Sequence, residues 1–188
     1  MKWPKRLDFF RTAQIISGGR PGISGIHRSI AYKEENRAEI MTTFVIKHQT
    51  SGKFIHPQGG SLTPCDETAL VLHQDVHSGM HFAFDATCNG YGYIRHVGSG
   101  KCIHPKGGAS TPCNETELVL NGDRHNGALF CIDTCNKRIQ HHGGKYIHPQ
   151  GGQANPCNDT KMVLHGDCHD NMKLLIVSPS NTCEEICP

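Results

Sequence analysis

The sequence predicts an all-β protein built from three copies of one unit, and three observations carry that prediction. First, the stretch GKFIHPQGGSLTPCDETALVLHQDVH around Lys53 recurs as GKCIHPKGGASTPCNETELVLNGDRH around Lys101 and as GKYIHPQGGQANPCNDTKMVLHGDCH around Lys145. Second, the spacing is held. His56, His104 and His148 follow one another at 48 and 44 residues, and 19 residues separate each from Asp75, Asp123 and Asp167. Third, 21 glycines, 6% aromatics and few helix-favouring runs describe a chain of short strands joined by turns.

Each copy reads as four short strands. In the first copy they are 43–48, 53–56, 69–73 and 81–85. Period-two alternation places Leu70 and Leu72 on one face, then Phe82 and Phe84. The matching later positions stay apolar as Phe130 and Ile132, then Leu174 and Ile176. Ser51-Gly52, Gly59-Gly60 and Thr63-Pro64 supply the turns between strands. The second period is four residues shorter, and a loop around 137–144 is expected to absorb the difference. A propeller needs about four blades or more, and a solenoid needs shorter, more uniform coils. Threefold closure around a shared apolar centre remains, which predicts a β-trefoil with pseudo-threefold symmetry. The trefoil domain is 41–188, with repeats at about 43–89, 90–136 and 137–182. Residues 1–40 match no repeat and carry eight Lys or Arg against four Asp or Glu. They read as a mobile N-terminal tail, or as sequence upstream of a start near Met41.

Bulk properties exclude several classes. A formal net charge of +2 does not announce a nucleic-acid partner. No stretch approaches the roughly 20 apolar residues of a transmembrane helix. Asp8, Arg11 and Gln14 interrupt what would be the apolar core of a signal peptide. The expected location is therefore cytoplasmic, or outside the cell by a route that needs no signal peptide. Ten cysteines point the other way, towards an oxidising compartment. Six recur with the repeat: Cys65, Cys113 and Cys157, then Cys88, Cys135 and Cys183. In a trefoil the two sets lie at opposite ends, beyond disulfide reach, so free thiols are expected.

Two polar clusters recur that a β-scaffold does not need. The first is His-Pro-x-Gly-Gly: His56, Pro57 and Gly59, then His104, Pro105 and Gly107, then His148, Pro149 and Gly151. A turn accounts for the proline and the glycines but leaves the histidine unexplained. The second pairs Asp75 with His77, Asp123 with His125 and Asp167 with His169. Singly, an Asx turn and a surface imidazole would account for these. Jointly and in triplicate they suit a ligand rich in hydroxyls, because a carboxylate accepts from two neighbouring hydroxyls and imidazole donates or accepts by tautomer. Glycine lets backbone N–H approach such a ring closely.

Other chemistries stay open at this point. Asp75 and His77 share a strand face, so with His56 they would make a His₂Asp zinc set. The scaffold would also serve as a protein-interaction module acting through its loops. Glu67, Glu115 and Asp159 lie eight residues before the cluster aspartates, giving each copy the carboxylate pair a glycosidase requires. Three equal active sites on one small domain, with no repeating nucleophile pattern, favour a binder over an enzyme. No cofactor and no resident metal are expected.

The motifs GK-x-I-HP-x-GG and LVLH-x-D-x-H, following Thr42-Thr43-Phe44-Val45-Ile46-Lys47-His48, resemble the mussel galactose-binding lectins of the MytiLec type across about residues 41–180. The resemblance implies a β-trefoil with three sites for α-galactose or N-acetylgalactosamine, including globotriose-type glycans. It implies contacts from the His, Pro and first Gly of each His-Pro-x-Gly-Gly and from each Asp and His of the second cluster. Glu67, Glu115 and Asp159 would form the far walls of sites one, two and three. The implied partners are galactose-containing glycans on glycoproteins or glycolipids, the implied role agglutination or defence; a homodimer is left open. The Gln-x-Trp motif of other galactose-binding trefoils is absent, and the one tryptophan is Trp3. Asn121 stands where the other copies have His73 and His165, so the three affinities are expected to differ. Asn114-Glu115-Thr116 and Asn158-Asp159-Thr160 are formal glycosylation sequons beside the expected sites.

Overall fold

A computed structural model describes residues 43–182, apart from the side chains of Cys88, Asn181 and Thr182. The tail at 1–40 and Cys183 lie outside the described residues. Among the described residues twelve strands fall four to a copy. The first copy holds β1 (Val45–His48), β2 (Phe54–Pro57), β3 (Thr68–His73) and β4 (Phe82–Ala86). The second holds β5 (Gly92–His96), β6 (Cys102–Pro105), β7 (Thr116–Asn121) and β8 (Phe130–Asp133). The third holds β9 (Arg138–His141), β10 (Tyr146–Pro149), β11 (Thr160–His165) and β12 (Leu174–Val177). Among the described residues the only helical elements are short 3-10 turns, so the expectation of an all-β chain stands.

Six strands close a ring. β12 pairs with β1, Phe44 bridges to Phe82 at the head of β4, and β4 pairs with β5. Gly92 of β5 meets Phe130 of β8, β8 pairs with β9, and the Leu174 amide donates to the Lys137 carbonyl to return to β12. The other six strands form three hairpins, β2–β3, β6–β7 and β10–β11. Their long strands pair with one another in a triangle: β3 with β7, β7 with β11, β11 with β3. Each copy thus pairs its backbone with both others.

The core repeats in threefold layers. Ile46, Ile94 and Ile139 make one; Ile55, Ile103 and Ile147 another; Leu72, Leu120 and Leu164 a third, all at most 1% exposed. Phe82, Phe130 and Leu174 complete it, with Phe84, Ile132 and Ile176 packed at its margin, as the alternation predicts. Each fully buried side chain of this size contributes about 1.5–3 kcal/mol of transfer free energy.

The period difference falls partly elsewhere than expected. Phe82 pairs with His96 but Phe130 pairs with His141, so most of the shortening lies in the β8–β9 hairpin. That turn faces solvent, where length is cheaply changed. Cys65, Cys113, Cys157 and Cys135 are exposed free thiols, in keeping with the expectation for those four. Nothing is described for the Cys88 side chain or for Cys183.

Three histidines at strand ends bind the copies together. His48, His96 and His141 are wholly buried. Their Nε2–H groups donate to the carbonyls of Asn171, Gly79 and Gly127, at 2.7, 2.9 and 2.9 Å. Each partner lies in the preceding copy of the cycle. Nδ1 faces the Ser51 hydroxyl, the Ser99 hydroxyl and the Gly143 amide respectively. Burial lowers the pKa of all three below the ordinary histidine value.

Candidate functional site

Strand alternation puts a histidine on the outer face of each hairpin. Ile55 points into the core and His56, its neighbour, must point out. His56 lies opposite Val71, and residues opposite each other in an antiparallel pair share a face. His104 opposite Val119 and His148 opposite Val163 repeat this. Outward does not mean exposed here: the three imidazoles are only 4%, 2% and 3% exposed, covered by the residues that follow β3, β7 and β11.

In the first copy His56, Gly59, Gly60, His73, Asp75, His77 and Asp159 line a concavity of about 430 Å³. His73 and His77 meet the His56 ring edge-on, with centroids 5.4 and 4.9 Å away. His148 stands likewise between His165 and His169, at 5.2 and 5.5 Å. The Asp75 side chain is 65% exposed, with Oδ2 3.4 Å from His73 Nδ1. Asp167 Oδ2 lies 3.5 Å from His165 Nδ1. The second cluster therefore sits over the first within each copy, as the spacing implies.

Hydrogen bonds fix the tautomers. Nδ1–H of His56 donates to the Pro57 carbonyl at 3.1 Å, and Nδ1–H of His148 donates to the Pro149 carbonyl at 3.1 Å. Their Nε2 atoms then carry lone pairs, and both are buried without a partner. Burial, with smaller contributions from the adjacent imidazoles, holds the pKa of both rings below the ordinary histidine value. The Gly79 amide donates to His77 Nδ1 at 3.1 Å and the Gly127 amide to His125 Nδ1 at 3.0 Å, leaving Nε2–H on those rings. The Asp75 amide donates to His73 Nδ1 and the Asp167 amide to His165 Nδ1, with the same result. Each of sites one and three thus combines a buried acceptor, N–H donors and an exposed carboxylate.

The far wall is exchanged between copies. Asp159, from the third copy, lines the site of His56. Glu67, from the first copy, accepts from Asn121 Nδ2 at 3.0 Å beside the site of His104. Glu115, from the second, lies 3.9 Å from His165 Nε2 in the site of His148. The sequence reading gave each acid to its own copy, as sites one, two and three with Glu67, Glu115 and Asp159; the observed order is Asp159, Glu67 and Glu115. The reason is the strand triangle. The start of each long strand pairs with the end of another, Thr68 with Leu120, Thr116 with Leu164 and Thr160 with Leu72. Amides of Glu67, Glu115 and Asp159 donate at 2.9 Å to those same leucine carbonyls. The same-copy carboxylate pair considered for a glycosidase therefore does not form one pocket. All three acids adopt the left-handed region, with φ of 63°, 62° and 62°. That costs about 1–2 kcal/mol for a residue with a Cβ, a threefold strain held at the rim of every site.

Asn121 reproduces both polar contacts of the histidine it replaces. Its Oδ1 accepts from the Asp123 amide at 3.0 Å, as Nδ1 of His73 and His165 accepts from Asp75 and Asp167. Its Nδ2 donates to Glu67, standing in for Nε2–H. It supplies no ring, and in this copy His104 meets only His125, at 4.9 Å. His104 is also bonded differently: its Nε2–H donates to the Asp123 carbonyl at 2.5 Å.

The first glycines, Gly59, Gly107 and Gly151, are at the turn tips with φ of 79°, 80° and 75° and open space where a Cβ would project. The second glycines are packed more tightly. A Cβ on Gly60 would sit 3.0 Å from the His77 ring, on Gly108 3.1 Å from His125, and on Gly152 3.2 Å from His169. Sequence reasoning selected the first glycine and missed the second, although the invariant Gly-Gly pair in all three copies was the available signal. Pro57, Pro105 and Pro149 end β2, β6 and β10, and the Pro57 carbonyl also accepts the Gly60 amide at 2.9 Å. Among the described residues no group of three His, Cys, Asp or Glu is placed to hold a metal ion, so the His₂Asp zinc set does not assemble.

A family model described as alpha-D-galactose-binding lectin matches residues 44–179. An alpha-D-galactose-binding lectin of Mytilus galloprovincialis is 58% identical over 59 residues, which are 31% of this chain and 32% of that protein. A galactose-binding lectin of Mytilus californianus is 57% identical over 54 residues, 29% of this chain and 36% of that one. The matched stretches thus span about a third of these relatives. A designed threefold-symmetric protein, ThreeFoil, superposes with a TM-score of 0.64 at 12% identity, covering 72% of this chain and 98% of its own.

Proposed function

Because the chain belongs to the alpha-D-galactose-binding lectin family, we propose that it binds α-galactose-type sugars, galactose and N-acetylgalactosamine, at three sites on a β-trefoil. It acts by binding and not by catalysis. Its partners are galactose-bearing glycans of glycoproteins or glycolipids.

One observation carries the reading: the buried, unpartnered Nε2 of His56 and of His148. An unmet buried acceptor costs about 1–3 kcal/mol, and a ligand hydroxyl recovers it. Around it stand the Nε2–H groups of His73 and His77, then the carboxylates of Asp75 and Asp159. Alternating donors and acceptors of this kind suit a sugar edge whose neighbouring hydroxyls each donate and accept. Galactose offers such an edge at O3 and O4, which lie on the same side of the ring. Three sites on one rigid body cross-link clustered glycans, with avidity about 10²–10⁴ above single-site affinity where the geometry allows more than one to engage.

Calorimetric titration with methyl α-galactoside, N-acetylgalactosamine and methyl α-glucoside tests the proposal. The first two are expected to bind, and glucose, which differs in the orientation of O4, is not. Absence of heat with every galactoside would end the reading. A second control is the triple variant His56→Ala, His104→Ala, His148→Ala, expected to keep the β-sheet circular dichroism and lose sugar.

A further inference from the structure

Site two is not a third copy of sites one and three. In those two, the central imidazole keeps Nδ1–H on its own proline carbonyl and offers a buried Nε2 lone pair. In site two, Nε2 carries the proton and gives it to the Asp123 carbonyl. A nitrogen already donating to the protein cannot accept a hydroxyl. Two residues found only in the second copy surround this difference.

Asn121 is one. His73 and His165 press their ring edges on His56 and His148. Asn121 keeps their polar contacts through Oδ1 and Nδ2 but sets no ring against His104, whose ring contact is with His125. Arg124 is the other, placed between Asp123 and His125. Its Nη2 donates to Asp85 Oδ2 at 2.6 Å, and its guanidinium lies 5.4 Å from the centre of the Tyr93 ring. Asp85 is itself held bidentately by Arg95, at 2.9 and 3.2 Å. The arm bearing Asp123 is therefore pinned to the β4–β5 hairpin by a charge-assisted network. In the other copies the position of Arg124 is taken by Val76 and Cys168, neither of which can make such a link.

We propose that Asn121 and Arg124 are specificity-determining positioning residues that hold His104 on the Asp123 carbonyl and make site two a distinct, weaker class of sugar site. The proposal rests on the lectin reading for its ligand, but its structural half does not. Losing one ligand hydrogen bond corresponds to about a tenfold weaker dissociation constant. The protein therefore carries two matched sites, formed around His56 and His148, and one unmatched site around His104. A lattice of cross-linked glycans then grows mainly from two vertices of the molecule.

The test uses the full chain and two readouts. Long-range ¹H–¹⁵N spectra of the imidazoles, without sugar, report the tautomer of each histidine. His104 is expected as Nε2–H, against Nδ1–H for His56 and His148. The double variant Asn121→His, Arg124→Val is expected to convert His104 to Nδ1–H. Galactoside titration of the wild type is expected to give two sites and a third about tenfold weaker, and the double variant three sites alike. Asp85→Asn, which loosens the same clamp from its other end, should narrow the gap. A His104 tautomer equal to the other two in the wild type, or unchanged in the double variant, overturns the proposal whatever the sugar data say. The expected tautomers with three equal sites overturn its functional half alone, and no galactoside binding at all overturns the lectin reading instead.

Discussion

The amide of Asp159 donates to the carbonyl of Leu72 at 2.9 Å, and this bond carries a side chain of the third copy to the rim of the first site. The same bond from Glu67 to Leu120, and from Glu115 to Leu164, turns the cycle once around. No site is the property of one repeat.

This exchange is testable by isolating sites. In a His104→Ala, His148→Ala background only the His56 site remains, and Asp159→Ala is expected to weaken galactoside binding about ten- to a hundredfold, the range for a hydrogen bond to a charged group. Glu67→Ala in that background should change little. With His56 and His104 removed instead, Glu115→Ala should weaken binding and Asp159→Ala should not. Calorimetry distinguishes these patterns, and a same-copy effect would refute the exchange.

Glycine 79 is expected to be intolerant of a side chain. An added Cβ would lie 2.6 Å from the Gly60 carbonyl and 2.9 Å from the His77 ring. Gly79→Ala should destabilise by about 1–3 kcal/mol through overpacking and weaken site one. Gly100→Ala is the control: φ is +73° with nothing within 4 Å. It should cost about 1–2 kcal/mol by backbone strain with sugar affinity unchanged. Urea unfolding and titration of both variants separate the two mechanisms.

Stability should fall with acid, and the sign follows from the buried imidazoles. His48, His56, His96, His104, His141 and His148 all have pKa values lowered from 6.5, chiefly by burial. The unfolded chain then binds more protons than the native one below pH 6.5, so stability is full above that pH and declines as pH falls towards the native pKa values. Urea midpoints are expected to drop from pH 7.5 to pH 5. His96→Gln should make the decline shallower. Galactoside binding should weaken over the same acid range, because a proton on Nε2 of His56 removes the acceptor.

Thiol reactivity should sort by burial. Cys65, Cys113 and Cys157 are exposed, while Cys102 is fully buried and burial raises its pKa. Iodoacetamide is expected to alkylate the first three in the native protein and Cys102 only in urea, read by peptide mass spectrometry. Equal rates would contradict the packing of β6.

Much of this was legible in the residues. Leu70 and Leu72, with their partners in the other copies, announced their core face because a strand alternates with period two and a buried face must be apolar. The histidine of each His-Pro-x-Gly-Gly turn lies against the histidine of its Asp-x-His pair, because a hairpin and the loop after it are local in the chain. The second glycine and the buried staples His48, His96 and His141 were harder. Their roles depend on what packs against them, and a one-dimensional pattern does not contain a neighbour from another copy.

The sequence by itself determined the triplication, the all-β class, the core positions and the residue types gathered at each site. Tertiary structure alone decided which acid serves which site, because strands of different copies pair at their ends through backbone groups that carry no sequence label. It also decided that His104 bonds the Asp123 carbonyl where His56 and His148 bond their own proline carbonyls, since the contacts of Asn121 and the arm pinned by Arg124 exist only once those residues are folded against one another.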